Sequence, residues 1–227
     1  MTTFTMPCKM SPGKNLEVPA IFLTASPSNA MKGRGPKFLF PTKSGLLGER
    51  QLKLLQSNFP MIDPIICVGH DARDILNLQL GVKIVENGLW ETTAEIEQLR
   101  LCLNIIPNAK RVLIVQGDSL FPIPRMVINQ SSLMYSSQAS KEAGLNIKEN
   151  MLVTTGTDFP NKPNGPIYLE TNELQILRDY CNAARNRNAE LWEFLKRLES
   201  FGGKVFCYEG NCMRATSSED LELLETL

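Results

Sequence analysis

Short apolar runs alternate with amphipathic stretches along the first half of this chain. Ala20–Thr24 is a strand candidate, and a loop rich in Ser, Gly, Pro and Lys follows through Gly45. Leu52, Leu55 and Phe59 then share one face, which predicts a helix from about Leu47 to Asn58. Pro64–Val68 is the next strand, and Gly69 breaks it before a short helix near Asp71–Leu78. Val82–Glu86 is the third. Thr92 and Glu95 have the spacing of a capping box for a helix striped by Ile96, Leu99 and Leu103. Arg111–Gln116 holds the unbroken run Val112-Leu113-Ile114-Val115, as expected of a strand buried on both faces.

Strands separated by helices of this length imply parallel βαβ units with right-handed crossovers. The second half is less regular. Strands are expected at Met151–Thr155, Pro166–Leu169 and Lys204–Tyr208, and helices near Glu173–Arg185 and Ala189–Phe201. Leu191, Leu195 and Leu198 stripe the latter, and Ser217 with Asp220 starts a terminal helix. Residues 1–18 lack periodicity and read as a tail or edge extension. The expected fold is α/β: a single domain over residues 19–227, with a mostly parallel central sheet flanked by helices on both faces.

Composition narrows the function classes. Acidic and basic side chains number 24 each, so no bulk field recruits nucleic acid or an anionic membrane. The longest apolar runs are about five residues, far short of a membrane span. One histidine, His70, and six scattered cysteines without a CxxC pair give zinc cages almost no support. Several cysteines sit in apolar runs, such as Cys67, where a free thiol behaves as a small hydrophobe. A reducing cytoplasm is the simplest setting. The sequence specifies no oligomeric state.

In open α/β sheets, ligands bind beyond the carboxyl ends of the strands. Three segments fall there: the loop after Thr24, Asn87–Thr93, and Gly117-Asp118. The first loop has small residues that admit a phosphate close to the backbone, and Lys32, Arg34, Lys37 and Lys43 add positive charge. A solvated basic loop is the plainer alternative. Asp118 should emerge at the sheet's upper edge, where a carboxylate can hold Mg²⁺ or simply serve a turn. Asn87 and Thr92 could read a base or ribose, or Thr92 could only cap its helix. His70 is expected to be a loop histidine, and Trp90 and Trp192 packing residues.

Taken in order, these segments resemble the sugar-phosphate nucleotidyltransferase superfamily, whose members have a glycosyltransferase-A-like fold. Leu23-Thr24-Ala25, Met31 and Pro36-Lys37 match the family's L-A-A-G-x-G-x-R-M-x-x-x-x-P-K with the same spacing. Gly45-Leu46-Leu47 resembles its G-x-P-L-L segment, and Phe59-Pro60 leading into Ile65–Gly69 its second strand and turn. Val85–Thr92 is similar to the E-N-P segment of the phosphocholine cytidylyltransferase branch. Gly117-Asp118 matches the metal-holding G-D, Asn164-Gly165-Pro166-Ile167 resembles Y-G-P-I, and Ser218–Leu221 resembles T-P-E-D-L.

The resemblance implies transfer of a nucleoside monophosphate from an NTP, CTP or another, to a phosphorylated sugar or amino-alcohol with Mg²⁺. It implies Lys37 and Asp118 as catalytic residues, with Asp118 holding the metal. It places the nucleotide near Ala25, Ser26, Ser28, Met31, Arg34, Lys37, Asn87, Thr92 and Gly117, and the acceptor near Gly165.

The departures lie in the same loop and at the chain's end. Both family glycines fall on Ser26 and Ser28, the family arginine falls on Ala30, and the second metal-binding aspartate falls on Arg214, Ala215 or Thr216. Arg214 then places a positive charge where the metal would be. Two further readings follow: a catalytically degenerate homologue that binds without turnover, and a glycosyltransferase-A enzyme. The second lacks a D-x-D, since Ser119 and Leu120 follow Asp118.

Overall fold

Parallel strands with unbroken apolar runs need cover on both faces, and this chain supplies it. A computed structural model describes residues 17–26, 35–121, 130–137, 144–156, 159–215 and 220. The N-terminal tail, Ser28, Met31, Arg34 and most of the expected terminal helix lie outside these residues.

The elements are β1 (Val18–Leu23), β2 (Pro41–Thr42), β3 (Gly45–Leu46), α1 (Leu47–Asn58), β4 (Ile62–Val68), α2 (Ala72–Leu76) and β5 (Lys83–Glu86). Then come α3 (Glu95–Asn104), β6 (Val112–Gln116), β7 (Ser119–Leu120), β8 (Ser132–Tyr135), β9 (Gly144–Lys148) and β10 (Met151–Gly156). The last are β11 (Ile167–Leu169), α4 (Thr171–Asn182), α5 (Leu191–Leu198), β12 (Phe206–Glu209) and β13 (Met213–Arg214).

One nine-stranded sheet runs in the order β5-β4-β1-β6-β11-β8-β12-β10-β9. Its first four strands are parallel, and β11 turns antiparallel against β6. Alternation along β1 divides the core. Ile21 and Leu23 face α3, α4 and α5, while Ala20 and Phe22 face α1 and α2. Helices therefore flank the sheet on both faces. Pro19, which cannot donate a ladder bond, sits in β1 before its pairing with β6 begins at Ala20↔Leu113.

The capping box expected at Thr92 does not form. Ala94 precedes the first residue of α3, and Thr92 donates its hydroxyl back to the Leu89 carbonyl at 3.3 Å. Glu95 is drawn elsewhere, accepting from the backbone N–H of Leu191 at 2.9 Å. Trp90 packs partly buried on the core, but Trp192 is exposed, off the Leu191–Phe194–Leu195–Leu198 stripe of α5.

Close packing between α1 and the turn Lys37–Leu39 depends on Gly48. A Cβ there would lie 2.1 Å from the Phe38 ring, which is fully buried and meets Phe22 edge-on at 6.2 Å. Gly48→Ala is therefore expected to destabilise by about 1–3 kcal/mol through overpacking, although helix propensity alone favours Ala by about 1 kcal/mol. Urea midpoints check this, and a stabilised variant would contradict the packing.

Candidate functional site

The site is built from the ends of β1 and β6. At β1, the Thr24 N–H and hydroxyl both donate to the Cys67 carbonyl, turning the chain across β4. Gln98 of α3 then clamps the loop: its Oε1 accepts from Ala25 N–H at 3.1 Å and its Nε2 donates to Ser26 Oγ at 3.1 Å. The Ala25 carbonyl accepts from His70 N–H at 2.9 Å. His70 lies tilted against Trp90, ring centroids 4.9 Å apart, and its Nε2 lies 3.1 Å from Asp71 Oδ2. It is a loop histidine.

The chain resumes at Gly35, whose left-handed φ of 75° turns it into Pro36 and the Lys37 turn. Phe38, wedged under α1, anchors that turn and leaves Lys37 free to face β6.

At β6, Gly117 N–H donates to the Leu23 carbonyl at 3.0 Å, and Asp118 follows, 1% exposed. Lys37 Nζ stands 2.8 Å from Asp118 Oδ2. The same carboxylate receives Arg214, from Nε to Oδ1 at 3.0 Å and from Nη2 to Oδ2 at 3.1 Å. Arg214 is held by the β7–β13 pairing opposite Ser119, and Ala215 N–H donates to the Asp118 carbonyl at 2.8 Å. Burial acts to raise the Asp118 carboxyl, but the Arg214 and Lys37 charges and hydrogen bonds outweigh it and hold it far below the ordinary carboxylate range.

A second polar group adjoins the first. Gln116 Nε2 donates to Glu95 Oε1 at 3.2 Å, while its own Oε1 is buried without a partner among the described residues. Glu190, at the start of α5, shares a hydrogen bond with Glu95. Crowding of its carboxyl by protein, then the Glu95 charge and hydrogen bond, push Glu190 up to about 7, against the opposing pull of Lys37 and Arg214. The residue keeps exposed surface, so solvent moderates the effect. The folded state thus holds a proton that the unfolded chain releases near 4.5, and stability falls as pH rises from about 4.5 to about 7. Glu190→Gln is expected to lose less stability than the wild type between pH 5 and pH 8 in urea titrations. Equal losses would contradict the raised Glu190 carboxyl.

The remaining positions have inward partners. Asn87 is buried: its amide donates to Thr93 Oγ1 at 3.0 Å and its Oδ1 accepts from Leu89 N–H at 3.1 Å, so the side chain shapes its own loop. Gly165 lies against β8, its N–H on the Met134 carbonyl at 3.2 Å, with room for no Cβ because Met134 Cβ would be 2.6 Å away. Sequence reasoning passed over Gln98 and Glu190 and gave Glu95 only a role in a helix cap. The signal for Gln98 was a polar residue amid the apolar positions of α3.

Among the described residues, no group of three or more His, Cys, Asp or Glu is placed to hold a metal ion. None of their helices is long and apolar enough to cross a membrane. Among the described residues five cysteines are free and buried, including the adjoining Cys67 and Cys102.

No protein-family model matches the chain, and no curated protein matches it in sequence. Solved structures do match. The CTP:phosphocholine cytidylyltransferase of Streptococcus pneumoniae is 19% identical, with a TM-score of 0.75 over 92% of this chain and 98% of its own. The inositol-1-phosphate CTP transferase of T. maritima is 17% identical, with a TM-score of 0.69 over 92% and 95%. A putative glucose-1-phosphate thymidylyltransferase of Bacillus anthracis is 13% identical, with a TM-score of 0.72 over 92% and 94%.

Proposed function

From the nucleotidyltransferase fold that this chain shares with those structures, we propose that it binds a nucleoside triphosphate over the carboxyl ends of β1 and β6. It transfers the nucleotidyl group to a phosphorylated sugar or amino-alcohol. The observation that carries this reading is the meeting of Lys37 with Asp118 at the sheet edge, from segments distant in sequence.

An oxygen of the acceptor phosphate attacks the α-phosphorus in line, the bond to the β-phosphate oxygen breaks, and pyrophosphate leaves. Lys37 supplies positive charge to the phosphate oxygens as this charge redistributes, so its contribution is positioning and electrostatics. The loop of Ala25 and Ser26, clamped by Gln98, presents backbone to the nucleotide. Ser28, Met31, Arg34, Thr92 and Gly117 are assigned to the nucleotide with it. Asn87 acts as a positioning residue through its loop, and Gly165 borders the acceptor.

Magnesium, which the family resemblance implies, would find Asp118 as its carboxylate. Both oxygens of Asp118 already accept from Lys37 and Arg214, and an arginine stands where a second carboxylate is needed. The residues present do not fit a two-carboxylate metal site, and no step above runs through one.

The same arginine favours a second reading, a homologue that binds nucleotide without turnover. Pyrophosphate release from a panel of NTPs and phosphorylated acceptors separates the two. Release is expected from at least one pair, falling about 100-fold in Lys37→Ala. Nucleotide binding with no release from any pair selects the degenerate homologue. Hydrolysis of a nucleotide-sugar instead selects a glycosyltransferase.

A further inference from the structure

Arg214 has an arrangement that the transfer reaction itself does not call for. Its guanidinium lies side-on against Asp118, occupying both oxygens, and Lys37 shares Oδ2. A magnesium ion sits about 2.1 Å from a carboxylate oxygen, which is space already taken by Nη2 and Nζ at Oδ2. Entry of the ion would add two charges beside two cations and one carboxylate. The backbone of Arg214 is paired in β13 opposite Ser119, and the next N–H is tied to the Asp118 carbonyl, which sets its Cα beside the carboxylate.

We propose that Arg214 stands in for the metal: with Lys37 it forms a phosphate cradle that binds the polyphosphate of a nucleotide as the free anion, without a divalent cation. Asp118 is then a counter-ion that holds the two cations in place before the ligand arrives. A guanidinium suits this role because it carries five N–H donors, more than the two it gives to Asp118. The field of the two cations extends as far as Glu190 at the start of α5. The inference rests on the nucleotide reading above and specifies what holds the phosphates.

The test is calorimetric titration of the full chain with tripolyphosphate and with CTP, in EDTA and in excess Mg²⁺. The wild type is expected to bind both ligands in EDTA, with affinity within about twofold of that in Mg²⁺. Arg214→Gln should weaken binding in EDTA at least about tenfold, the scale of one charge-assisted hydrogen bond, while Arg214→Lys should recover part of it. Circular dichroism melts establish that each variant is folded. Arg214→Asp, which puts a second carboxylate beside Asp118, should bind only with Mg²⁺. Wild-type binding that requires Mg²⁺ would overturn this inference and leave the nucleotide reading intact. No binding of either ligand under either condition would overturn both.

Discussion

Asp118→Ala should lower the unfolding free energy by about 3 kcal/mol, the low end of the range for breaking a buried ion pair. The carboxylate is 1% exposed, and its removal strands two cations whose side chains keep only 19% and 20% exposure. That residual solvent contact is the reason for choosing the low end. Asp118→Asn should cost less, since the amide keeps one oxygen for Arg214 or Lys37. The pH dependence follows from the depressed carboxyl. Its stabilisation is fully present above the ordinary value of 3.8 and is lost as pH falls below that value toward the folded one. The gap between wild type and Asp118→Asn in urea midpoint should therefore be wide at neutral pH and close in acid. A gap that stayed constant would mean the carboxylate is not ion-paired.

Gly117→Ala should destabilise by about 1–3 kcal/mol and weaken nucleotide binding about tenfold, equivalent to 1.4 kcal/mol. A Cβ at this position would stand 2.6 Å from Thr24 Cγ2 and 2.8 Å from the Leu23 carbonyl oxygen. The threonine methyl belongs to a buried residue and the carbonyl to the backbone of β1, so neither yields without spreading the β1–β6 edge. Asp118 is the next residue, so any spreading carries the carboxylate away from Lys37. Gly88→Ala is the matched control: nothing lies within 4 Å of its added Cβ, and its effect should stay within about 0.5 kcal/mol. A Gly117→Ala variant as stable and as tightly binding as Gly88→Ala would contradict the close approach.

The half of the fold that positions the site was legible because its strands are continuous apolar runs. Ile65–Val68 and Val112–Val115 announce burial on two faces, and α1 was placed at its observed bounds by the spacing of its leucines. β8 and β9 escaped. Ser132–Tyr135 and Gly144–Lys148 carry serine, glycine and asparagine in short segments without a clear period, and only long-range pairing makes them strands. Thr92 had the right spacing for a cap, but spacing does not reveal that Leu191, almost a hundred positions later, competes for Glu95.

The charged centre divides along similar lines. Asp118 could be picked out at a strand end, whereas only the family resemblance singled out Lys37 among the basic residues of its loop. The resemblance also put Arg214, Ala215 or Thr216 in place of the second carboxylate. What it could not show was that the short β7–β13 ladder lays that arginine flat on Asp118, converting an expected metal ligand into the counter-ion of two cations. Gln98 and the Glu95–Glu190 pair were hidden for a related reason, since polar side chains on helices acquire their partners only when the helices dock.

A crystal structure of the chain with CTP or UTP tests the central claim most directly. Triphosphate density within hydrogen-bonding reach of Lys37 and Arg214, above the ends of β1 and β6, is the expected result. Nucleotide bound elsewhere, or Lys37 turned away from both Asp118 and the phosphates, would contradict it.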